Sequence, residues 1–365
     1  MTQQNKLSSW FLTNKAFSAQ LFCPNQYKPS WQWQNLRSIG LSILMVFFLQ
    51  ATALSNAANA KAESSLDYLK VPANVPYSEV AKLSAISHTK TISYGESPEQ
   101  KIYYWSANGV KKNNVIVFIH GGCWLEGYDI KHSLPFTSAL SLHGFDVYSI
   151  EYRRTGNGGE WPVALNDIEL ALQAIELQLL SANMSVDAAV SIIGHSAGGH
   201  LATLAVMNAT NDKTANSASE TTLSNLHLFG LAPIIDLAAY ANGNNDCQTA
   251  TPAFMGGTPS DKPEAYKAAN PLKYKLIIQN QGVYLSKAIL STSIETEHKL
   301  RANNMLGSAT MLIGTNDDIV PQSMAQHPDA KFVLANEAGH FDWIHPGSPA
   351  FKQLVDKLNV LSSSQ

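Results

Sequence analysis

Residues Val190–Ala205 read VSIIGHSAGGHLATLA, and this stretch decides the fold. An apolar β-run, Val190–Ile193, meets an apolar helix-like run with only Gly194-His195-Ser196-Ala197-Gly198 between them. So tight a passage from strand to helix pushes the central serine outward on a backbone that tolerates no bulky neighbour, and Gly194 and Gly198 leave that room. The helix that follows turns its amino-terminal N–H groups and its positive dipole end toward the hydroxyl. Ser196 is the candidate nucleophile, and the strand before it belongs inside a sheet.

Working outward, Val115–Ile119 (VIVFI), Val147–Ile150, Leu226–Leu231 and Thr310–Ile313 repeat the pattern of Val190–Ile193. They lack polar alternation, which marks strands buried on both faces. Pro162–Leu180 begins with proline in its first turn and places Leu165, Ile168, Leu172, Ile175 and Leu179 at helical spacing, so it predicts a crossover helix. Strand, helix and strand in repeated order imply an α/β chain: a mostly parallel central sheet, helices on both faces, one domain over residues 61–365. Two stretches break the rhythm. Asn208–Asn225 is polar, without glycine or aromatic residues, and reads as a solvated surface loop. Ala238–Asn304 is longer than any connection the sheet needs and contains Pro252, Gly256, Gly257, Pro259 and Pro271. It reads as an inserted, lid-like segment with a helix near Val283–Arg301.

A serine that attacks an acyl carbonyl needs donors for the oxyanion, a base, and a carboxylate to orient that base. Val115–Gly127, VIVFIHGGCWLEG, runs a strand straight into paired glycines. Backbone N–H groups can approach an oxyanion closely there, so the amides of Gly122 and Cys123, with that of Ala197 after the serine, are the expected oxyanion hole. His120 reads as a residue that braces this turn. Base and acid should follow the serine at the ends of later strands. TMLIGTNDDIVP (Thr310–Pro321) offers Asp317 or Asp318, and KFVLANEAGHF (Lys331–Phe341) offers His340. Trp124 and Trp161 follow strand ends on the same side, either lining a substrate pocket or packing in the core. Glu151 and Arg154 read as a buried pair, although a site for a substrate carboxylate is the sharper alternative. His195, His200, Asp342 and His345 are read as supporting or surface positions, and Cys123 as a nucleophile has no base placed for it.

The whole chain has 365 residues, 45% hydrophobic and 15% charged, with net charge −3. It is globular, with no basic patch for a phosphate backbone, so no nucleic-acid partner is expected. Residues 1–60 hold Lys6, Lys15, Lys28 and Arg37 and no acidic residue, then an apolar run Ile39–Leu49, then small residues to Ala60. This is the order of a secretory signal cleaved after Ala60. The run has eleven residues, against ~20 for a span. Export to a periplasmic or external space is expected, with an uncleaved membrane anchor as the alternative. Cleavage takes four positive charges from a net −3 and leaves −7. Of three cysteines, Cys123 and Cys247 remain. They could pair in an oxidising compartment, but two cysteines make no disulfide framework, and two separate buried thiols is the preferred reading. No zinc-type spacing occurs.

HGG-x-W at His120–Trp124, GHSAGGH at Gly194–His200, G-x-x-D-x-x-V at Gly314–Val320 and GHFDWI at Gly339–Ile344 together resemble the α/β-hydrolase superfamily, in its esterase and kynurenine-formamidase-like branch. The resemblance covers roughly Lys101–Leu361. It implies the α/β-hydrolase fold, hydrolysis of an ester or small amide without metal or cofactor, and a triad of Ser196, Asp317 and His340, since the family's acid is the first aspartate of the pair. A small-molecule ester is the expected substrate. An arylformamidase is the second reading, with a peptidase or an inactive binding protein on the same scaffold behind it. The chain departs from small formamidases after Asn270-Pro271-Leu272, where about forty residues precede Met311.

Overall fold

The structure, a computed structural model, describes residues 66–182, 184, 188–211, 225–276 and 307–363. The expected signal segment 1–60 and the expected helix near 283–301 lie outside the described residues.

Eight strands form one sheet: β1 Lys90–Ser93, β2 Lys101–Trp105, β3 Asn114–Ile119, β4 Asp146–Glu151, β5 Ala189–His195, β6 Asn225–Leu231, β7 Ser308–Gly314 and β8 Lys331–Ala335. Their spatial order is β1-β2-β4-β3-β5-β6-β7-β8. β1 and β2 pair antiparallel, β2 also pairs antiparallel with β4, and the remaining five pairings are parallel. The expected five strands are therefore present, each one to a few residues longer than its apolar run, and an antiparallel edge is added. That edge escapes an apolar-run search because Lys90–Ser93 is mostly exposed and Lys101–Trp105 only half buried.

The helices are α1 Tyr77–Val80, α2 Leu134–Leu142, α3 Val163–Ser181, α4 Ala197–Asn211, α5 Leu237–Tyr240, α6 Asp246–Met255, α7 Pro263–Ala268 and α8 Pro349–Ser363. Strand side chains alternate between faces, and β3 shows the result. Val115, Val117 and Ile119 face a core shared with Leu165, Ile168 and Leu172 of α3 and Leu201 and Leu204 of α4. Ile116 and Phe118 face a second core shared with Phe136 and Leu140 of α2 and Phe351, Leu354 and Leu358 of α8. Helices thus cover both faces, as the strand and helix alternation predicts. The polar stretch starting at Asn208 is helical as far as Asn211, where α4 ends.

Parallel pairing aligns strand ends. Ile119 of β3 is level with Gly194 of β5, and His195 of β5 with Leu231 of β6. The loops that carry His120–Trp124, Ser196, Asp317 and His340 therefore all leave from the carboxyl edge of the same sheet, where open α/β sheets keep their sites. Between β6 and β7, residues 237–276 fold as α5, α6 and α7 with a final 3₁₀ turn. His200 on α4 donates from Nε2 to the Ala269 carbonyl at 2.7 Å, pinning this segment to the sheet's helix layer.

Candidate functional site

β5 ends at His195 and α4 begins at Ala197, leaving Ser196 alone between them with φ +54°. That left-handed backbone is uncommon outside glycine and persists where the surroundings impose it. A Cβ on Gly198 would sit 2.3 Å from the carbonyl oxygens of Ile119 and His120, and one on Gly194 would sit 2.3 Å from the Gly198 carbonyl. Both glycines are required by close backbone approach, which is what lets the β3 loop lie against the serine.

That loop is His120–Trp124. A Cβ on Gly121 would come within 3.0 Å of Ser196 Cβ. Gly122, Cys123 and Trp124 follow with φ +111°, +53° and +58°. Among the described residues, no backbone hydrogen bond uses the N–H of Gly122 or Cys123. Ala197 is the first residue of α4, whose N–H has no partner inside the helix. The loop after β3 and the start of α4, which flank Ser196, thus carry three N–H groups without a backbone partner.

His120 braces the turn. Its Nδ1 lies 2.8 Å from the Gly121 carbonyl and its Nε2 3.1 Å from Glu151 Oε1, while Tyr152 donates its hydroxyl to the His120 carbonyl at 3.0 Å. Glu151 also accepts from the Ile130 and Tyr152 N–H groups and from Arg154. Burial would raise the Glu151 carboxyl, but the opposing effect of His120, Arg154 and the Ile130 N–H wins and holds it at about 2. Glu151 and Arg154 therefore form a closed buried pair under the His120–Trp124 loop, and Arg153 is engaged by Asp167. Neither arginine is left for a substrate carboxylate.

Asp317 and His340 meet. His340 Nδ1 is 2.9 and 3.0 Å from the two Asp317 oxygens, and Oδ1 also accepts from the Ile319 and Val320 N–H groups at 3.0 and 2.8 Å. The Asp317 side chain is fully buried, whereas Asp318 is exposed. With Nδ1–H donated to the carboxylate, Nε2 carries the lone pair.

The His340 loop is fixed at two further points. His195 places Nε2 at 3.0 Å from the His340 carbonyl, and burial, then the neighbouring His340, push the His195 pKa well below the ordinary value. It is therefore neutral, a donor at Nε2 that links the serine turn to the histidine turn. Asp342, fully buried, accepts from Asn74 N at 3.0 Å, Val75 N at 2.7 Å and Gly339 N at 3.0 Å. It lashes residues 74–75 to the turn that carries His340. The sequence signal was the aspartate two positions after the histidine in GHFDWI, which reads as unremarkable until the amino-terminal segment is seen across it.

Trp124 has no exposed surface and stacks on Phe254 of α6, ring centroids 4.8 Å apart and planes 6° from parallel. Trp161 is half buried and meets Phe254 edge-on at 6.3 Å. The two cysteines are not separate thiols: Cys123 is bonded to Cys247, at the start of α6. Counting cysteines could not show this, since the two lie 124 residues apart and only the return of α6 over the loop after β3 joins them. Among the described residues no group of histidine, cysteine and carboxylate side chains could hold a metal ion, and no helix is long and apolar enough to cross a membrane.

Residues 101–281 match the family model described as BD-FAE. Esterase LipC of Mycobacterium tuberculosis is 28% identical over 130 residues, covering 33% of this chain and 30% of that protein. Esterase LipQ of the same organism is 23% identical over 209 residues, covering 55% and 48%. The chain has the α/β-hydrolase fold. Among solved structures, esterase B from Lactobacillus rhamnosis superposes with a TM-score of 0.55 at 16% identity, over 88% of this chain and 96% of that chain. These similarities fall on the esterase branch. The chain spans between about a third and a half of the length of the two curated relatives.

Buried histidines should make this fold acid-sensitive. Burial lowers His132, His200 and His227 to about 4, with His120 adding to the shift at His132. An unfolded histidine titrates near 6.5, so the unfolded chain binds protons that the folded chain refuses. The corresponding stability is complete above pH ~6.5 and is lost as pH falls toward about 4, at roughly 1.4 kcal/mol per pH unit per histidine. Urea unfolding at pH 7.5 and 5.0 should show a loss of several kcal/mol by this linkage; equal midpoints would contradict it.

Proposed function

We propose that this chain is an exported serine carboxylesterase that cleaves esters of small or medium acyl groups through an acyl-enzyme. The observation that carries the reading is the bond from His340 Nδ1 to the fully buried Asp317 side chain, on loops that leave the same sheet edge as a serine at a left-handed strand-to-helix turn.

In the proposed mechanism His340 takes the Ser196 proton through Nε2 as Oγ attacks the acyl carbonyl, and Asp317 keeps Nδ1 protonated and steadies the imidazolium. The amides of Gly122, Cys123 and Ala197 receive the oxyanion. The proton on His340 then passes to the departing alcohol. Water, deprotonated by the same imidazole, releases the acid and restores the hydroxyl. Trp161 forms one wall of the acyl site, with Trp124 packed behind it through Phe254. Three esterases among the similar proteins support an ester as substrate. The leader pattern of residues 1–60 and a disulfide, a bond rare in reducing compartments, support export.

A fluorophosphonate probe on the secreted fraction should label the peptide containing Ser196, and p-nitrophenyl butyrate should be turned over faster than N-formylkynurenine. Labelling elsewhere would remove the nucleophile from this account. A strong preference for the formyl amide would make the chain an arylformamidase, the reading that HGG-x-W also suits.

A further inference from the structure

Three consecutive residues of the oxyanion loop, Gly122, Cys123 and Trp124, stand at positive φ, and two of them are not glycine. Such a run holds its shape only when neighbours impose it. Thr155 supplies part of the hold, since its N–H donates to the Trp124 carbonyl at 2.7 Å and its own carbonyl accepts from Glu126 N at 2.9 Å. Cys123 lies between this anchor and the glycines, and its side chain is held by a covalent bond to Cys247, the two Cα atoms 5.0 Å apart.

What stands at the other end of that bond gives it meaning. Cys247 is in the first turn of α6, which is capped by Asn245: the Asn245 side chain accepts from Gln248 N, and Gln248 reaches back to Asn245 N. The same Asn245 donates from Nδ2 to the Ile319 carbonyl at 2.8 Å, and Tyr240 donates its hydroxyl to that carbonyl at 3.2 Å. Ile319 N in turn donates to Asp317 Oδ1. The start of α6 is thus a bracket, tied by hydrogen bonds to the turn that holds Asp317 and by the disulfide to the loop that offers the oxyanion donors.

We propose that the Cys123–Cys247 bond positions the oxyanion donors relative to the acid and base, so that ester turnover depends on its being oxidised. This rests on the reading of Ser196 as nucleophile. Neither cysteine touches the reacting atoms through its sulfur. Reduction by a phosphine converts the disulfide to two thiols while the phosphine takes up the oxygen of one water, and the loop then keeps its anchors at Thr155 and His120 but loses its covalent tie to α6. Since a reducing cytosol keeps thiols apart, the bracket closes only in an oxidising compartment.

The test uses the full-length chain, with thiol counts on the denatured protein confirming the bond, before and after treatment with tris(2-carboxyethyl)phosphine and removal of the reagent without air. With p-nitrophenyl butyrate, kcat should fall about tenfold, a fraction of the hundredfold or more that losing a whole oxyanion donor costs, while KM stays within twofold. Oxidised glutathione should restore it. Cys247→Ser should reproduce the low kcat and be indifferent to the phosphine, and near-UV dichroism should be preserved in both. The proposal is overturned if reduced and oxidised enzyme agree within twofold in kcat, if KM alone moves, if near-UV dichroism is lost with activity, or if Cys123 and Cys247 count as free thiols in the untreated protein. A wild-type enzyme that neither hydrolyses the ester nor takes a fluorophosphonate on Ser196 would instead defeat the reading of the site itself. Labelling and turnover insensitive to the phosphine would defeat only the bracket.

Discussion

Ser196→Ala is expected to lower kcat toward p-nitrophenyl esters by ~10⁴-fold or more, because the attacking atom is removed while the donors around it remain. The size follows from what is left behind. The amides of Gly122, Cys123 and Ala197 can still polarise a bound carbonyl, so a residual rate above that in water is anticipated rather than none. The variant should fold: alanine at φ +54° is no more crowded than serine there, and Ser196 N still donates to the Leu231 carbonyl at 2.9 Å. Circular dichroism and urea midpoints matching the parent would confirm that chemistry alone was lost. Activity within tenfold of the parent would mean that a different group attacks.

Much of the arrangement was legible because its causes are local. Gly194 and Gly198 are required by backbone contacts under 3 Å, and a sequence shows such a requirement as glycines flanking a serine. The five central strands are apolar on both faces because helices cover both, so they appear as uninterrupted runs. The features that stayed hidden depend on partners far away in the chain. β1 pairs with β2 and β2 with β4, and both strands bury only part of their surface and carry no run to detect. Asp342 gains its role only when Asn74 and Val75 arrive from 267 or more residues away. The Cys123–Cys247 bond needs α6 to fold back over the loop after β3. Composition cannot anticipate that return, since the residues that steer it, such as His200 on Ala269 and Asn245 on Ile319, are ordinary polar residues until they pair.

Asp317 and Asp318 are neighbours with opposite surroundings, and substitution separates them. In Asp317→Asn the amide oxygen can go on accepting from Ile319 N and Val320 N, which turns the NH₂ group toward His340. Nδ1 must then become the acceptor, the proton moves to Nε2, and the imidazole can no longer take a proton from Ser196. A fall in kcat of ~10⁴-fold is expected from this wrong tautomer, with KM little changed. The loss should ease at high pH, where hydroxide can deprotonate the serine without the imidazole. Asp318→Asn should leave kcat within about threefold, since an exposed carboxylate is heavily screened, and only its backbone carbonyl, unaltered by the change, accepts from Asn245. The pair of variants therefore asks whether burial and hydrogen bonding, rather than position in the motif, select the orienting acid. If Asp318→Asn were the crippled one, the bond between Asp317 and His340 would have to be a resting contact that breaks when substrate binds, and the order of events at the base would need to be rewritten around that movement.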